Sequence, residues 1–267
     1  MLSFFLAFAL FLLSCCAVLY FTVFSKDHII NIMRTSGYYD MVSSELQSRM
    51  EDLVDASGFD KQFADDFVKN CNVQKAVEEY VSSFYSGYST LVDTTAFRQE
   101  LYAAVDAYIT DKSITVNEDT DKYIAYFINE AAQIYVDQIS IPFFSAIANY
   151  ISKARDRLNA AAITTGVFAL IIAAVILFSN RYRHRRYKYL FISSAGAALA
   201  LTVLPSAVLL SGVIGKINLT TRSIYNLFVN YFNTLFYSFY IWAGISAAFS
   251  VIMLALYVRH YRRALGL

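Results

Sequence analysis

Four stretches of the chain, residues 2–24, 158–179, 189–214 and 235–258, contain no Asp, Glu, Lys, Arg or His. Each is long enough to cross about 30 Å of hydrocarbon as a helix rising about 1.5 Å per residue. A helix satisfies its own backbone polar groups in lipid, and a run without ionisable side chains brings no charge that must be desolvated. The pattern predicts an all-α membrane protein with four transmembrane helices. Composition agrees: 57% of residues are hydrophobic and only 16% charged, whereas a soluble domain carries about 25% charge.

Charge divides the chain into two physical objects. All 21 acidic residues lie between Asp27 and Asp156. Residues 26–157 hold 12 Lys and Arg against those 21 acids, net −9, while residues 158–267 hold 10 basic residues and no acid, net +10. The expected organisation is therefore transmembrane helix 1 (1–25), an acidic, all-helical extracytoplasmic domain inserted between the first and second spans (26–157), and transmembrane helix 2 (158–179). A basic cytoplasmic loop (180–188), transmembrane helix 3 (189–214), an extracytoplasmic interfacial loop (215–234), transmembrane helix 4 (235–258) and a cytoplasmic tail (259–267) complete it.

Orientation follows from Arg181, Arg183, Arg185, Arg186 and Lys188, because short cytoplasmic loops are enriched in Lys and Arg while long domains translocate largely regardless of charge. With four spans both termini are then cytoplasmic, and Arg259, Arg262 and Arg263 add to the inner count. These eight residues are expected to set topology and touch anionic lipid headgroups. Six basic residues fall on the outer side: Lys26, Lys153, Arg155, Arg157, Lys216 and Arg222. The inverted topology is the alternative. Basic residues interleaved with Tyr at 181–188 also suit nucleic acid, but a short loop anchored at both ends in a bilayer explains its charges by topology, and no nucleic-acid partner is expected. "LLSC" at residues 12–15 loosely resembles a lipoprotein cleavage box, yet no basic residue precedes the run and apolar character continues through Phe24, which predicts a retained helix.

Periodicity inside 26–157 is helical. Tyr39, Val42, Leu46, Met50 and Leu53 form one stripe that stops at Gly58. Phe59, Phe63 and Phe67 recur at four-residue spacing. Asn72 caps a third run carrying Val73, Val77, Tyr80, Val81 and Phe84 to Gly87, and Asp93 precedes a fourth with Phe97, Leu101, Val105 and Tyr108. A fifth follows Glu118 and Asp119, striped by Ile124, Phe127, Ile128, Ala131, Ile134 and Tyr135. Ser140 is expected to cap a helix that restarts at Pro142 and continues into the second span. A similar extension of the first span through 25–34 would stand the domain on two helical stalks.

Chemistry is sparse. Asn117, Asp119 and Asp121 occupy the first oxygen positions of a calcium loop, but Lys122 and Ile128 stand where Gly and Glu are needed. His28, His184 and His260 are scattered, and Cys15, Cys16 and Cys71 offer neither zinc spacing nor a disulfide scaffold. Neither a catalytic set nor a metal or cofactor site is expected, and the protein reads as not an enzyme. Pro205 with Ser206 is a candidate hinge in the third span, and Pro142 another at the edge of the second. Ala162 and Gly166, Gly196 and Ala200, and Gly244 and Ala248 are each four apart, the spacing for close helix packing. Residues 218–220 form a glycosylation acceptor in a host that glycosylates.

The body of the inserted domain, 27–152, has 20 acids and 8 bases, net −12, which suits either a docking face for a basic protein partner or a solvated surface. Four spans with a large domain after the first resemble in layout the permeases of the cell-division and macrolide-export type, which work with a separate ATPase. The all-helical domain and the lack of an evident cytoplasmic docking helix depart from them. The leading expectation is a non-enzymatic polytopic protein whose outer domain binds a protein partner or senses an external condition, relayed to the membrane helices. The alternative is a small-solute transporter or permease-like subunit of a larger complex. Homo-oligomerisation fits either. A translocated domain without disulfides points to a bacterial cytoplasmic membrane.

Overall fold

The computed structural model describes residues 1–87, 91–142, 144–217 and 221–265, and within them regular structure is entirely helical. The helices are α1 (Leu2–Phe21), α2 (Lys26–Thr35), α3 (Tyr38–Ser57), α4 (Lys61–Asn70), α5 (Val73–Ser86), α6 (Thr95–Asp111), α7 (Glu118–Ile139), α8 (Phe144–Ser179), α9 (Arg183–Ser211) and α10 (Arg222–Leu265), with a 3-10 turn at Ile214–Lys216. Four helices are long and apolar enough to cross a membrane: Leu2–Phe21, Lys153–Ser179 of α8, Arg183–Lys216 and Arg222–Arg263.

The chain forms two units, one of Met1–Ile29, Lys153–Leu219 and Phe228–Leu267, the other of Ile30–Ser152 and Thr220–Leu227. In the first, here the apolar unit, Leu6 and Ala9 of α1 pack with Ala169, Ile172 and Ile176 of α8. Two turns further on, Val18 of α1 packs with Leu201 of α9 and with Leu235, Phe239 and Ala243 of α10. The opposite faces of these helices are as apolar as the packed ones, with Leu170 72%, Phe178 87%, Leu199 66% and Val251 65% exposed. A helix that is hydrophobic all round needs an apolar surrounding on its outer face.

The second, acidic unit has a conventional interior. Tyr38, Val42, Leu46, Met50 and Val54 of α3 are buried and face α4 and α7. Val77 and Val81 of α5 and Leu101 and Val105 of α6 join the same core. Removing one such side chain from water contributes about 1.5–3 kcal/mol. Aromatic rings fill the space beneath α4, where Phe59 stacks on Phe63 at 5.2 Å and meets Phe127 at 4.8 Å. Start and stop signals act where they are expected: Asn72 Oδ1 accepts from Lys75 N at 3.0 Å, Asp93 Oδ1 from Thr95 N at 2.9 Å. Gly58 and Gly87 end α3 and α5 with φ of 80° and 72°, a conformation that strains any residue bearing a Cβ.

Several expectations change. The stripe of α3 closes on Val54, because the 42, 46, 50 series continues by four, and Leu53 lies half-buried beside it. The first stalk is interrupted at Thr22, whose hydroxyl bonds back to Val18 O at 2.6 Å, and α2 starts afresh after Ser25, whose Oγ accepts from His28 N at 3.3 Å. Ser140 ends α7, its N–H on Val136 O, and Pro142 lies outside helix, so α8 begins at Phe144. The basic 180–188 segment is helical from Arg183, and the 215–234 segment is helical from Arg222. Consequently α8 and α10, and not the continuation of α1, are the long unbroken helices that contribute to both units.

Candidate functional site

The first residues of α10, up to Leu227, belong to the acidic unit as helix rather than as a loop, and they are held by α3. Ser223, near the N-terminus of α10, donates its N–H to Glu45 Oε1 at 3.1 Å and its hydroxyl to Oε2 at 2.7 Å. The first backbone N–H groups of a helix have no partner inside it, and the helix dipole favours negative charge there. A carboxylate reaching across from another helix satisfies both requirements. One turn along α3, Met41 Sδ accepts from Asn226 Nδ2 at 3.2 Å.

The neighbouring helix α5 holds two other parts of the chain. Glu78 Oε1 accepts from Arg34 of α2 at 3.3 Å, from Tyr39 of α3 at 3.3 Å and from Gln74 at 2.9 Å. These bonds, that from Gln74 first, hold the Glu78 carboxyl below its ordinary range. Burial and the adjacent Glu78 push the Tyr39 hydroxyl up. Two residues on, Tyr80 donates to Ile141 O at 3.4 Å, and about a turn further Phe84 stacks on Phe144 of α8 with centroids 4.1 Å apart.

Thus α3 and α5 together grip the starts of α8 and α10 and the end of α2. Tyr38, fully buried, sits behind this junction; burial first and then the Glu45 charge push its phenol up, and its hydroxyl has no partner among the described residues. Such an orphan is the ordinary position of an ordered water or of a group that changes partner.

Residues singled out by spacing are distributed as follows. Arg183, Arg185, Arg186 and Lys188 lie in the first turns of α9, and Arg259, Arg262 and Arg263 in the last turns of α10. His184 meets Tyr261 at 5.8 Å and Tyr187 stacks on His260 at 5.3 Å, so the two basic segments share one end of the apolar unit. Arg186 is engaged, its Nε on Asn180 O at 2.7 Å, while Arg181 and Lys188 are exposed. A Cβ added to Gly196 would lie 3.4 Å from Ala7 Cβ, and one on Gly166 3.9 Å from Leu13 Cδ1, which places both glycines on α1. Ala162 and Ala200 are half-buried beside them, whereas Gly244 faces open space and Ala248 is exposed.

Pro205 is buried within α9, and Ser206 Oγ lies 2.8 Å from Tyr240 Oη of α10. Asn117 caps α7, its Oδ1 accepting from Asp119 N and Thr120 N at 3.1 and 2.9 Å, and no group of three or more metal-ligating side chains is assembled among the described residues. The acceptor at 218–220 lies outside the described residues. The junction of Glu45, Glu78 and Ser223 was missed by sequence reasoning: Glu45 and Ser223 are 178 positions apart, and each is an ordinary polar residue in its own segment. No protein-family model, no curated protein and no solved structure matches this chain.

Proposed function

We propose that the chain is an integral protein of a bacterial cytoplasmic membrane, with both ends of the chain inside, the acidic helical unit outside, and a non-enzymatic role. The outer unit binds a protein partner or senses an external condition and passes the result to the membrane helices. The observation that carries this reading is the hold of α3 and α5 on α8 and α10, two continuous helices shared by the acidic and apolar units. A change of partner on the acidic unit then shifts elements that extend into lipid without an intervening loop. The apolar outer faces of α8, α9 and α10 support insertion. The convergence of the basic ends of α9 and α10 supports a single cytoplasmic face.

Two measurements test it. With Cys15, Cys16 and Cys71 replaced and Asn117→Cys introduced, an impermeant maleimide is expected to label intact cells; labelling only after lysis overturns the orientation. For the relay, Glu45→Ala removes a cap contributing about 1 kcal/mol, so amide exchange at residues 223–227 in lipid nanodiscs is expected to rise about fivefold and to spread along α10 past Phe228. Exchange that stays at the wild-type rate beyond residue 227 removes the coupling.

A further inference from the structure

A cleft of about 540 Å³ opens on the acidic unit between α5, α6 and α7, with neither Glu45 nor Glu78 in its lining. Ligand pockets span about 300–1,000 Å³. Its floor is aromatic: Phe97 and Tyr135 stack with centroids 4.2 Å apart, with Tyr80 beside them. Around the rim stand Glu79, Asp93 and Glu100 against the single cation Lys75, which leaves the lining two negative charges in excess. Among the described residues the Lys75 ammonium pairs only with Glu79, at 3.9 Å, and both side chains are 69% exposed. Asp93 caps α6 through Thr95 N, and Glu100 makes no hydrogen bond or ion pair among the described residues.

Tyr135 supplies an independent indication. It is only 8% exposed and lines the cleft, yet its hydroxyl has no hydrogen-bond partner among the described residues. The ring is covered, while the hydroxyl is not among the sealed, unpartnered polar atoms and is left to the water of the cleft, where a ligand can take it. Burial first, then Cys71 and the charges of Glu100, Glu79 and Asp93, push that hydroxyl up to about 12, so the three carboxylates act on the point to which the phenol is directed. Burial and Glu100 likewise push the Cys71 thiol in the same lining up to about 12. An anion is repelled by such a lining and a neutral polar ligand leaves its charge unmatched. An ammonium is attracted by the carboxylates, donates to the free phenol oxygen and lies favourably against ring faces.

We propose that this cleft binds a small aliphatic diammonium ion, its two charges matched by Glu79, Asp93 and Glu100 and one N–H donated to the Tyr135 hydroxyl. The site deepens the sensing reading by naming the ligand class and takes its biological meaning from that reading.

Calorimetric titration of the full chain, in nanodiscs of zwitterionic lipid, with butane-1,4-diamine and with the uncharged butane-1,4-diol tests it. Saturable one-to-one binding of the diamine and none of the diol is expected. Glu100→Gln, an exposed change that leaves the core intact, is expected to raise Kd about tenfold, and Tyr135→Phe about threefold. Asp121→Asn, on the first turn of α7 outside the cleft, is expected to leave Kd unchanged. Equal binding of the diol, an unchanged Kd for Glu100→Gln, or an equal loss in Asp121→Asn overturns the site and leaves diffuse surface charge as the explanation. Loss of the site with the Glu45→Ala exchange effect intact rejects the ligand alone; the reverse result rejects the relay and keeps the site.

Discussion

α3 and α8 are both long helices, yet their side chains sort in opposite ways. On α3 the apolar stripe of Val42, Leu46, Met50 and Val54 is buried and the polar positions face outward. On α8 Ile172 and Ile176 are buried, but Leu170, Ile163 and Phe178 are equally apolar and lie exposed. The helical backbone is the same; what differs is the solvent for which each surface is built. In the acidic unit hydrophobic burial both orients and stabilises the helices. In the lipid setting proposed for the apolar unit the surrounding is as apolar as leucine, so packing there would rest on close approach and on interhelical hydrogen bonds such as Ser206 to Tyr240 and Ser193 Oγ to Ser3 O at 2.9 Å.

The contrast is most directly broken by truncating one leucine in each setting. Leu46→Ala, in the acidic core, is expected to destabilise that unit by about 2–5 kcal/mol, whereas Leu170→Ala on the outer face of α8 is expected to leave the detergent-solubilised protein within about 0.5 kcal/mol. Chemical denaturation followed by far-ultraviolet dichroism measures both. Equal losses would show that the outer face of α8 is packed against protein.

Within the apolar unit, Gly196→Leu drives a side chain against Ala7 and is expected to cost about 1–3 kcal/mol. Gly244→Leu meets open space and is expected to be tolerated in the single chain. Thermal inactivation of the two variants in one detergent distinguishes them, and sensitivity at Gly244 instead would assign that face to a contact with a second copy.

The smallest effect concerns pH. The folded Glu78 carboxyl lies below the ordinary glutamate range, so the unfolded chain binds its proton first as pH falls. The stability from its bonds to Gln74, Arg34 and Tyr39 is therefore full above the ordinary glutamate range and is lost as pH drops through the lower folded value. With the Arg34 side chain 61% and Glu78 30% exposed, screening keeps this below about 1 kcal/mol. Urea midpoints between pH 7 and 3 should fall less in Glu78→Gln than in the wild type, while no acid in the apolar unit's span cores contributes to such a slope.

Much of the layout was legible from residue order. The four span-length apolar helices appear because ionisable residues are missing from long runs, and α3, α5 and α6 begin or end where Gly58, Asn72, Gly87 and Asp93 supply local conformational signals, whereas Asn117, read as a calcium-loop position, caps α7. The break at Thr22 was overlooked because its flanks remain apolar, although the Thr and Ser that produce it are visible in 22–25. α10 was read as starting late because aromatic residues at 224–232 suit a membrane interface and a helix equally.

Residue order alone determined most of the helical segments, which four are fit for lipid, and that acid and base are segregated along the chain. All of these depend on neighbours within a few turns. Only the tertiary structure decided that Glu45 caps α10, that Phe84 meets Phe144, and that Glu79, Asp93 and Glu100 line one cleft with Tyr135. Those groupings join residues from separate helices, and periodicity states which face a helix buries but not which other helix lies against it.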